Sequence, residues 1–118
     1  MLSEDKQIEL ENMTAEVLAM IYMRVQWYKL NIRSAHTFFI DRVRASCTTK
    51  DFKTFLDVFC TKMSVDFVKI DTEVLKELNE YNSFVMYLLR SETVYIANLA
   101  LAKVDEWRNR DKAQTKLM

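Results

Sequence analysis

The sequence predicts an all-α fold, a helical bundle of three long segments. Three observations predict it. The 118 residues include no glycine and no proline, where average usage would give roughly 14 of the two together. Half of the residues are apolar, too many for a disordered chain. Those apolar residues recur at spacings of three, four and seven along most of the sequence, which is the period of a helix with one buried face. The two missing residue types also exclude function classes. Tight hairpin turns lean on Gly for positive φ, so a hairpin-rich sandwich or barrel is ruled out. The Gly-rich loops that cradle phosphates, and the calcium loop of the EF-hand, are ruled out by the same need.

The chain reads as one domain, 1–118, with no linker, repeat or low-complexity run. Turn chemistry is confined to three places. Around Cys47-Thr48-Thr49-Lys50-Asp51, Thr48 reads as an N-cap with Asp51 three residues on. At Ile70-Asp71-Thr72-Glu73, Asp71 or Thr72 reads as a cap, and Glu73 sits where the helix dipole favours an acid. Arg90-Ser91-Glu92 is a weaker version. The segments are therefore about 4–47, 49–69 and 72–112. With no Gly for a left-handed C-cap, Asn or another polar residue must close each helix.

The first segment carries the seam Leu18, Ile21, Val25, Tyr28, Ile32, Ala35, Phe39 and Val43, which keeps register through Asn31–Ser34. A continuous helix of this length would be about 66 Å long, more than the width of a compact domain of this size. Either it breaks near 31–34, with Ser34 capping a new helix, or it projects and pairs with another chain. A break there and another at 90–91 would give four to five helices. The second segment places Phe52, Phe55, Leu56, Phe59, Met63, Phe67 and Ile70 on one face, with Val58, Val65 and Val68 elsewhere, and reads as a largely buried central helix. The third places Leu75, Leu78, Val85, Leu89, Ile96, Ala100, Val104 and Trp107 on its buried side.

A second apolar face on the first segment carries the functional expectation. Met20, Met23, Trp27, Leu30 and Phe38 fall opposite the first seam, with Ser34 as one polar gap. Phe84, Tyr87, Val94 and Leu101 form a matching feature on the third segment. Either the chain's own segments sandwich the first helix, or another chain covers its second face. Large apolar side chains spread over about five turns exceed what soluble monomers usually expose, which favours the intermolecular reading. Met, Trp and Phe suit such surfaces, and Trp27 would be the anchor.

Catalytic and metal chemistry find little support. His36 is the sole imidazole, Cys47 and Cys60 are thirteen apart, and there is no Glu-x-x-His pair for a di-metal bundle. His36 and Cys47 are about three turns apart along one helix, too far for a nucleophilic pair. Glu9, Glu11, Glu73, Glu77 and Glu80 read as solvated faces. Asn12-Met13-Thr14 matches a glycosylation sequon inside a predicted helix and is assigned to chance. No metal or cofactor is expected.

Net charge is zero but unevenly spread. Residues 1–16 are net −4, with Lys6 against Glu4, Asp5, Glu9, Glu11 and Glu16; residues 24–50 are net +5, with six basic side chains against Asp41. Lys29, Arg33, His36 and Arg44 share one flank, a candidate patch for a nucleic-acid backbone or for an acidic neighbour such as 73–80. No stretch of 18 uncharged apolar residues is present, because Arg24, Arg90 and Glu92 interrupt the apolar runs, so no membrane span is expected. The acidic start MLSEDKQIELE does not read as a signal peptide, so the expected setting is intracellular, cytoplasmic or nuclear, with both thiols reduced. The expected function is a non-catalytic protein–protein interaction or assembly module, an oligomer or a subunit of a complex, whose partner is another copy or a different protein. The alternative is a small nucleic-acid-binding protein using the basic 24–50 stretch. A secreted helical cytokine with a Cys47–Cys60 disulfide is a weaker third reading.

Overall fold

The computed structural model describes residues 2–25, 32–66 and 69–117. They form six helices: α1 (Glu4–Arg24), α2 (Ile32–Ser46), α3 (Phe52–Lys62), α4 (Thr72–Glu80), α5 (Asn82–Ser91) and α6 (Thr93–Leu117). No strand occurs among the described residues. The all-α expectation therefore holds, but three long segments do not.

The first segment is not one helix. α1 starts at Ser3, whose hydroxyl accepts from the Lys6 amide at 3.1 Å, with Glu4 and Asp5 in the first turn where the dipole favours acids. It ends at Arg24, because Val25 turns extended at φ −86°, ψ 137°. The break precedes the expected 31–34, and Ser34 lies inside α2 rather than capping it. The longest dimension of the molecule is 47 Å, too short for a continuous helix of about 66 Å. The central position also moves from the second segment to α1. Between Thr14 and Tyr22 only Glu16 and Met20 escape full burial, and the most extensive helix pairing is α1 with α6.

The second segment starts and ends inside its expected bounds. Asp51 is the N-cap of α3, accepting from the Thr54 amide at 2.8 Å, so Thr48 is not. Residues 47–51 are diverted into a turn that other helices hold. The Asn82 side chain accepts from the Phe52 amide at 2.7 Å and donates to the Lys50 carbonyl at 3.2 Å. α3 ends at Lys62 in a Schellman motif: Val65 N donates to Cys60 O at 2.9 Å and Ser64 N to Thr61 O at 3.1 Å. Ser64 takes φ 59°, the left-handed position Gly would normally fill. Phe67 and Val68, expected in this helix, lie outside the described residues.

The third segment divides twice. Asp71 caps α4 through the Glu73 amide at 2.8 Å, one of the two expected choices. Tyr81, at φ −106°, ψ 34°, separates α4 from α5, a break that the sequence reading lacks. The second break, at Glu92, falls next to the expected 90–91. It is a bend rather than a gap, since Glu92 N still donates to Leu88 O and Glu92 O still accepts from Ile96 N, both at 2.9 Å.

The core is aromatic at its centre. Phe52, Phe55 and Phe59, one helical turn apart on α3, stack at 5.8 and 5.5 Å between ring centroids. Phe59 continues to Phe39 at 5.9 Å, and Phe39 meets Tyr22 edge-on at 5.1 Å. The four Phe rings are fully buried, as are Leu18, Ile21, Leu78, Leu89 and Ile96 around them.

Candidate partner interface

Three of the five expected interface residues can be placed by burial. Met20 and Phe38 are half-buried against the chain's own core. Met23 remains 36% exposed. Trp27 and Leu30 lie outside the described residues. The Phe38 ring is covered by the Arg42 guanidinium 4.1 Å away, one turn on, and the Arg42 Nε is buried without a hydrogen-bond partner. Of the basic flank, His36 is half-buried and Arg44 exposed on α2. Lys29 lies outside the described residues, as does the side chain of Arg33.

The exposed apolar surface is concentrated elsewhere, at the bend between α5 and α6. Tyr87, Val94 and Tyr95 are each about half exposed, at 52%, 49% and 50%. Phe84 is half-buried and lies 6.5 Å from the Tyr87 ring. Helical spacing explains the arrangement. α5 turns Val85, Met86, Leu88 and Leu89 inward, and α6 turns in Ile96, Ala97, Ala100 and Val104. Positions 87, 94 and 95 are left on the outer side. The Tyr87 and Val94 part of this feature was legible as apolar residues off the main seam. Tyr95 was missed, and its signal was position: it precedes the buried pair Ile96–Ala97. Leu101, expected with this feature, is buried. Beside Val94 and Tyr95 a shallow depression of about 180 Å³ is also lined by Arg44 and Arg90.

A larger groove, about 550 Å³, separates α3 from α4, with Leu56, Cys60, Ile70 and Leu75 among its apolar lining and Lys53 and Asp57 among its charges. The two thiols are unpaired. Burial pushes the Cys47 thiol up to about 11, and burial followed by the Asp57 charge raises that of Cys60. Both shifts disfavour the reactive thiolate. Among the described residues no group of three or more His, Cys, Asp and Glu could hold a metal ion, and no helix is long and apolar enough to cross a membrane.

Compared with known proteins, the chain matches no protein-family model, no curated protein sequence and no solved structure.

Proposed function

We propose that the chain is a non-catalytic helical assembly module that acts through apolar helix faces. The observation that carries this reading is the exposure of Tyr87, Val94 and Tyr95 together at the α5–α6 bend. Single exposed apolar residues need no explanation, but three large ones within nine positions of one bend offer a desolvation gain that a partner would supply. Tyr suits this role, because its ring buries area at low entropic cost while its hydroxyl finds a hydrogen bond. The partner we assign is a second copy of the chain. Zero net charge means that two copies meet without overall repulsion, and an outward-facing patch on a bend can pair with itself about a two-fold axis. Met23, exposed at the end of α1, is a further apolar position open to a partner.

Sedimentation over a range of protein concentrations tests this, with wild type beside Val94→Glu/Tyr95→Glu. Both substituted side chains are half exposed, so the variant keeps its helical circular dichroism. Its average mass stays monomeric where that of wild type rises.

A further inference from the structure

We propose that α4 is a latched flap, which opens as a unit about its two caps, Asp71 and Tyr81, while the remaining helices stay packed; the Lys6–Glu77 ion pair is the latch. Four observations carry this. First, α4 is nine residues long, the shortest of the six helices. A helix this short does not persist without tertiary contacts. Second, its contacts are few: Leu78 is its one fully buried residue, and Val74 and Leu75 are half-buried. The neighbouring α3 and α5 each bury four. Third, one flank is already parted from α3 by the groove of about 550 Å³ that Leu56, Cys60 and Leu75 line. Fourth, one side chain from α1 ties the other flank down. The Lys6 ammonium binds the Glu77 carboxylate, stands 3.5 Å from Glu9, and lies 4.9 Å from the centroid of the Tyr81 ring, at the C-terminal hinge itself.

Sub-global opening of this kind follows low local burial. It withdraws Leu78 from the core and uncovers the Leu56 and Cys60 wall of α3. The device is independent of the surface at the α5–α6 bend.

Native-state hydrogen exchange in low denaturant tests it. The α4 amides from Leu75 to Glu80 should exchange faster than those of Leu18 and Ala97 in the α1–α6 core, with a much weaker dependence on denaturant, because opening exposes only a fraction of the surface that unfolding does. Lys6→Ala, a substitution in the first turn of α1 that keeps good helix propensity, should speed α4 exchange about two- to fivefold, the range of a partly solvated ion pair. Exchange of α4 at the rate and denaturant slope of Leu18 and Ala97 would overturn the flap. Faster exchange that Lys6→Ala leaves unchanged would overturn the latch.

Discussion

Arg90 of α5 holds Cys47 in the turn that follows α2: its Nε donates to the Cys47 carbonyl oxygen at 3.0 Å, and a terminal guanidinium nitrogen donates to the Thr49 carbonyl. Between the same two elements the Cys47 thiol donates to the Leu89 carbonyl at 3.2 Å and to Val43 at 3.0 Å. In a chain without Gly, two carbonyls of the turn that follows α2 are satisfied by a side chain more than 40 residues away in sequence. Arg90→Ala leaves those carbonyls without that donor and should cost about 1 kcal/mol in urea unfolding. Arg90→Lys should recover little of it, since one ammonium cannot reproduce the guanidinium fork.

Phe59 stands between Phe55 and Phe39 in the aromatic chain of the core. Phe59→Ala removes a fully buried ring and should cost ~3–5 kcal/mol, a large share of the stability of a small domain. An unchanged thermal midpoint would show that the site is not core.

Asp51 accepts the Thr54 amide at the start of α3, and that backbone hydrogen bond holds its carboxyl below the ordinary 3.8. The ionised form is therefore favoured by folding. Its contribution is fully present above 3.8 and is lost as pH falls through the lower folded value. Asp51→Ala should destabilise the protein at neutral pH, and the gap from wild type should narrow as the solution is acidified below 3.8. A gap independent of pH would contradict the cap.

Cys47 behaves in the opposite sense. Burial raises its thiol from 9.0 to about 11, so the neutral form is favoured in the folded protein and the thiolate in the unfolded one. The stability this confers is complete below 9.0 and falls as pH rises from 9 to about 11. Native protein at pH 7 should leave Cys47 unlabelled by a thiol reagent, and denaturant should release it. Rapid labelling without denaturant would refute the burial.

These positions show which parts of the structure were legible in the sequence. Helical class and the buried sides of α3, α4, α5 and α6 were readable, because Phe55, Phe59, Leu78, Leu89 and Ile96 keep helical period without Gly or Pro to interrupt it. Breaks were less readable because tertiary bonds set several of them. The turn before α3 depends on Asn82 and Arg90, 30 and 43 residues from the groups they bind, and α3 stops where Ser64 adopts a conformation that its residue type does not announce. The second face of the first segment was read as one surface on the assumption of an unbroken helix. Once Val25 turns extended, Met20 and Phe38 belong to different helices and each packs on the core. The exposed surface then lies where Tyr87, Val94 and Tyr95 flank the Glu92 bend, of which the period alone shows only a part.

The measurement closest to the central claim is sedimentation velocity of the pure protein over a wide concentration range, beside Val94→Glu/Tyr95→Glu. Wild-type mass should rise with concentration above that of the 14.1 kDa chain, and the folded double variant should stay at the chain mass throughout. A wild-type mass fixed at the monomer value, or a rise that survives the double substitution, would contradict assembly through the α5–α6 surface.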